Sequence, residues 1–123
     1  MATDIDLYVE RKSGPFWEHV PGEGDESLGW GWYDERDYRL FGLLAGVRDQ
    51  AEKAIISPRG APPDLSKFVY DGVDDTYSKT WYMLRELQAV DWEGLGVGYF
   101  AEVVKKIATV GGPDDVRVVI GFD

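Results

Sequence analysis

The chain has 123 residues, 23 of them acidic and 13 basic, giving a formal net charge of −10 at pH 7. That balance excludes an ordinary binder of the nucleic-acid backbone, which needs a basic face. The absence of cysteine excludes disulfides and thiolate zinc sites, and a single histidine excludes zinc held by imidazoles.

Ile5, Leu7 and Val9 alternate with Asp4, Asp6, Tyr8 and Glu10, the period-two signature of a half-buried strand. Lys12-Ser13-Gly14-Pro15 reads as a turn, and Phe16 to Val20 as a second strand hairpinned to the first. Glycine and acids dominate Pro21 to Gly31, an exposed loop. Asp34 is placed to cap a helix running to Ala45 or Val47, with Leu40, Leu43, Leu44 and Val47 on its inner face and Gly46 as stop signal. The prolines between Ser57 and Pro63 enforce a stiff loop. Asp64 then caps one or two helical turns carrying Leu65 and Phe68.

A second helix is expected to open near Ser78 or Thr80 and to cover Trp81 to Leu87. A third spans Tyr99 to Ala108, with Phe100, Val103, Val104 and Ile107 on one face, and Gly111-Gly112-Pro113 ends it. Val116 to Phe122 is rich in β-branched residues and reads as a strand pairing with the first at the sheet centre. The expected fold is a single α+β domain over residues 1–123: a small sheet containing the N- and C-terminal strands, packed by about three helices on one face. Met1-Ala2-Thr3-Asp4 has no secretory character, and no apolar run approaches the ~20 residues of a membrane span, so the expected compartment is the cytosol, without a membrane partner.

Asp4 and Asp6, two apart on one strand, leave the same face. With Asp75 they make a candidate oxygen-ligand set for Mg²⁺ or Ca²⁺; the plainer reading is a polar strand face. His19 has neither a nucleophile-elbow motif nor a cysteine beside it and reads as a solvated residue near a turn. Asp74, Asp75, Tyr77, Ser78 and Lys79 precede the expected helix, where they would either receive an anion or only cap it. Arg36, Arg48 and Arg59 carry planar forks suited to phosphate, with a base stacking on Trp30, Trp32 or Tyr33; the alternative is ion pairing with the chain's own acids. The Trp30-Gly31-Trp32-Tyr33 segment is either a lid stapled to the core or a recognition surface.

Several segments resemble an uncharacterised family of small bacteriophage and prophage proteins. Ala2 to Glu10 matches a Gly-Cys-Asp-Ile-His-x-Tyr-Val-Glu-like opening strand, and Arg36 to Arg48 matches an Arg-Asn-Tyr-x-Leu-Phe-x-x-Leu-Ala-Gly-Val-Arg helix. Pro58 to Pro62 matches a Pro-Arg-Gly-x-Pro loop, Asp75 to Leu87 an Asp-x-His-Ser-x-Ser-Trp segment, and Val116 to Asp123 the closing strand. Where the family tends to carry histidines, this chain has Asp6, Tyr77 and Lys79. The resemblance implies a retained scaffold stripped of imidazole chemistry, hence a non-catalytic accessory protein that binds and needs no cofactor. One version sequesters a small phosphate-bearing ligand, such as a nucleotide signal of host defence, using Arg36, Arg48, Arg59 and Lys79, with Trp30, Trp32, Tyr33 or Tyr77 stacking on the base. The other blocks a host protein through the acidic surface and Trp30, Trp32 and Tyr33. The competing expectation is a metal-assisted phosphate-ester hydrolase with Asp4, Asp6 and Asp75 on a divalent cation.

Overall fold

Alternating branched and aromatic residues put the backbone into four strands, and the computed structural model describes residues 3–22, 31–33, 35–47 and 54–123. The strands are β1 (Ile5–Ser13), β2 (Phe16–Val20), β3 (Tyr77–Met83) and β4 (Val116–Phe122); the helices are α1 (Tyr38–Ala45), α2 (Lys67–Val73), α3 (Leu84–Gln88) and α4 (Tyr99–Ile107). One antiparallel sheet results, in the order β2-β1-β4-β3, so the first and last strands are its two inner members. The α+β architecture matches the expectation.

Side-chain alternation divides the apolar residues between two faces. Ile5, Leu7 and Val9 of β1 and Val116, Val118, Ile120 and Phe122 of β4 face a large core. There they meet α1 through Leu40, Phe41 and Leu44, α3 through Leu84 and Leu87, and α4 through Phe100, Val104 and Ile107. Tyr8 and Val119 point the other way, against Val69 and Val73 of α2. Helices therefore cover both faces, not one. The roughly two turns of α2 suffice because the second face carries few apolar groups to bury.

Three local expectations change. Asp37 caps α1, its Oδ1 accepting from the Arg39 and Leu40 amides at 3.0 and 3.3 Å; Asp34 lies outside the described residues. The α1 stop at Gly46 holds, with φ 69°. Ser66, not Asp64, precedes α2. The expected helix around Thr80 to Leu87 is strand over its first half, with Thr80 and Tyr82 buried, and helical only from Leu84 to Gln88. Its hydroxyl residues, read as helix caps, are strand residues, and the Thr80 hydroxyl accepts from the Arg59 amide.

The outer edge of β3 is closed by the proline-rich loop. The Gly60 amide donates to the Lys79 carbonyl at 2.9 Å, the Arg59 amide to Thr80 Oγ1 at 3.1 Å, and Arg59 Nη1 to the Trp81 carbonyl at 3.2 Å. Glu86 accepts from the Met83 amide at 2.9 Å, finishing the strand. A protected edge removes a template for chain-to-chain pairing.

Candidate functional site at the acidic end of the sheet

The start of β1, the end of β4 and the turn from α2 into β3 meet at one end of the sheet. Asp4 and Asp123 exchange backbone hydrogen bonds of 2.9 and 3.0 Å, and Tyr77 stands opposite Phe122. Asp4, Asp74, Asp75 and Asp123 are exposed there, whereas Asp6 is buried. The Tyr8 hydroxyl lies within reach of this field. Burial foremost, then the charges of Asp6, Asp123 and Asp75, push its pKa upward. A Cβ on Gly72 would collide with that hydroxyl, so α2 has glycine where it crosses Tyr8.

Two of the phosphate-binding candidates, Arg36 and Lys79, converge on this end, and Arg36 is already paired with a carboxylate. Arg36 donates from Nε and Nη2 to Asp4 Oδ1 at 3.1 and 2.7 Å. Lys79 Nζ donates to the Thr76 carbonyl at 2.8 Å. Tyr77 is half exposed, its hydroxyl 3.1 Å from Thr3 Oγ1, and the Thr3 amide donates to the Tyr38 hydroxyl at 3.3 Å. Between Tyr77 and Thr80 the strand register slips, and Ser78 takes φ 51°. A serine held in the left-handed region stores backbone strain of order 1–2 kcal/mol.

The other candidates lie elsewhere. Arg59 sits at the β3 edge, its two terminal nitrogens on the two Glu86 oxygens at 2.8 and 2.5 Å and its carbon 4.6 Å from the Trp81 ring centroid. Hydrogen bonding between them holds the Glu86 carboxyl below its usual range and raises Arg59. Trp32 packs against the main core and donates from Nε1 to the Val20 carbonyl at 2.8 Å. Tyr33 is buried, stacked on Tyr99 and 3.1 Å from its hydroxyl, while that hydroxyl donates to Asp37 Oδ2 at 2.5 Å. Trp32 and Tyr33 thus staple their segment to the core. Trp30 and Arg48 lie outside the described residues. Arg59 is thus held at the β3 edge and Trp32 and Tyr33 at the core, whereas Arg36, Lys79 and Tyr77 meet at the acidic end.

Asp4, Asp6 and Asp75 share the acidic end but not a metal geometry. Among the described residues no group of three or more His, Asp or Glu side chains is arranged to hold a metal ion. Asp4 instead turns to Arg36.

Sequence reasoning missed the most deeply buried charges. Glu10, fully buried, accepts from Arg117 Nε at 2.7 Å and from the Ser66 amide at 2.8 Å. Arg117, 4% exposed, also donates to Asp64 Oδ1 at 2.9 Å and lies 4.1 Å from the Trp17 ring centroid. Burial opposes ionisation of Asp64, but the hydrogen bond and charge of Arg117 prevail and lower its pKa. The cluster pins the approach to α2 onto the sheet. Its signal was present as one charge within the apolar run Val116 to Phe122, on a strand expected to pair with the first; the structure sets Arg117 opposite Glu10.

His19 is half buried rather than solvated. Its ring stacks on Phe68 of α2 at 4.2 Å, Nε2 is buried without a hydrogen-bond partner, and desolvation lowers its pKa against the opposing pull of Glu10.

No protein-family model, curated protein or solved structure matches the chain. Among the described residues, no helix is long and apolar enough to cross a membrane.

Proposed function

We propose that the chain is a non-catalytic accessory protein of phage or prophage type, acting in the host cytosol by docking its acidic end onto a basic surface of a host protein. The observation that carries this reading is the state of the charges. Arg36 and Arg59 are ion-paired with Asp4 and Glu86 and Lys79 donates to the Thr76 carbonyl, while Asp74, Asp75 and Asp123 stand exposed around Tyr77. A phosphate brought to Arg36 or Lys79 would enter a field of like charge, whereas lysines and arginines of a partner would be attracted and steered. Tyr77, rigid and half exposed, supplies apolar area beside the carboxylates, as interface tyrosines do. The earlier assignment of the contact to Trp32 and Tyr33 gives way to Tyr77, because the first two are committed to the core.

The test is affinity capture from host lysate at two salt concentrations, run beside the variant Asp74→Asn/Asp75→Asn and beside a nucleotide library. A host protein retained at low salt, released at high salt and lost with the variant supports docking. Retention of an intact nucleotide, or recovery of a cleaved one, overturns it.

A further inference from the structure

Built from none of the residues of the acidic end, a groove of about 260 Å³ lies between α3 and α4. Its floor is Leu87, Trp92 and Val104, and Ala101 and Ala108 flank Val104 on α4 one turn to either side. Alanines at those positions leave unfilled the space that larger side chains would occupy. Two polar side chains, Gln88 and Lys105, stand at the rim. Among the described residues the Lys105 ammonium pairs with Glu102, one turn back on the same exposed helix surface at 3.2 Å, a contact of the kind that contributes little. Such a site combines an apolar bed with few orienting polar groups, the usual make-up of a small-molecule pocket, and lies just below the ~300–1,000 Å³ of drug-sized ones.

We propose that this groove binds a small apolar monocarboxylic acid, of roughly a dozen non-hydrogen atoms, given a volume just under the drug-sized range. The hydrocarbon lies on Leu87, Trp92 and Val104, and the carboxylate meets Lys105 with Gln88 donating alongside. The floor sets the apolar body and the lone rim cation sets the single negative charge. A phosphate dianion would need more donors than one lysine and one amide offer. The site is independent of the acidic end, so its failure leaves the docking proposal untouched.

The probe is 4-phenylbutyrate, titrated into ¹⁵N-labelled protein with 4-phenylbutyramide as the uncharged control. The expected result is saturable shifts confined to residues 87–92 and 101–108, with the amide binding more weakly. Lys105→Met should weaken the acid about three- to fivefold, the size of an exposed charge contact, and leave the amide unchanged. Ala101→Phe should fill the groove and abolish both. Should that variant fail to fold, Ala108→Leu and Lys105→Met still decide the matter. Equal binding of acid and amide, shifts elsewhere, absence of saturation, or unimpaired binding by folded groove-filling variants would each overturn the proposal.

Discussion

Replacing Arg117 by methionine tests whether the buried charge cluster holds the second face together. The substitution keeps much of the side-chain volume but deprives Glu10 of its arginine partner, leaving a fully buried carboxylate that still accepts from the Ser66 amide. Removing one partner from a buried pair costs about 3–5 kcal/mol because the other charge stays desolvated. Loss of the Asp64 bond adds little, since that carboxylate is itself largely exposed. The measurement is urea unfolding at pH 7, followed by tryptophan fluorescence, with the midpoint converted through the m-value. The double variant Glu10→Leu/Arg117→Met removes both charges, and most of the lost stability should return, leaving a deficit of about 1–2 kcal/mol from the Ser66 amide that then lacks an acceptor. A loss below about 1 kcal/mol in the single variant, or a double variant no more stable than the single, would show that desolvation does not govern this pair.

Four further outcomes follow from the same geometry. Because the folded-state pKa of His19 is lowered, the unfolded chain takes up its proton first; stability from this group is present above the unfolded value near 6.5 and is lost as pH falls through it toward the folded value. Urea midpoints at pH 7.5 and 5.5 should therefore differ less for His19→Phe than for the parent chain. Arg59→Met should cost about 1–2 kcal/mol, discounted for its partial exposure, and should also uncover the β3 edge, read as concentration-dependent association in size-exclusion chromatography. Tyr82→Phe leaves the buried Leu44 carbonyl without its 2.5 Å donor and should lower stability by about 1–3 kcal/mol in the same unfolding assay. Ser78→Gly relieves the positive φ and should be neutral to stabilising, by up to about 1 kcal/mol.

The parts of this fold that were legible in the sequence are those where one local rule sufficed. Alternation fixed β1, the β-branched run fixed β4, and Phe100, Val104 and Ile107 at helical spacing fixed α4. Tyr77 to Met83 misled because its serine and threonine hydroxyls suit helix caps. What settles it as strand is non-local: pairing with β4, the Tyr82 hydroxyl reaching Leu44, and a loop some twenty residues upstream closing the edge. The candidate site residues were open to two readings for a similar reason. A planar arginine fork serves a phosphate or an internal carboxylate equally well, and only the fold reveals that Arg36 faces Asp4 and Arg59 faces Glu86. The alternative of internal pairing was open from composition alone, since acids outnumber bases. Asp4, Asp6 and Asp75 did reach one end of the sheet, but strand alternation alone does not make a coordination shell.

Having β4 between β1 and β3 gives the sheet an order of assembly. Neither β1 nor β3 has its inner neighbour until Val116–Phe122 is available, and the partner of Ile5 is Phe122, 117 positions along the chain. Pairings that distant close slowly. During synthesis β1 leaves the ribosome long before the strand that pairs along its inner edge, and until then β2 is its one partner in the sheet. Deleting the last seven or eight residues would therefore split the sheet down its middle rather than trim its margin.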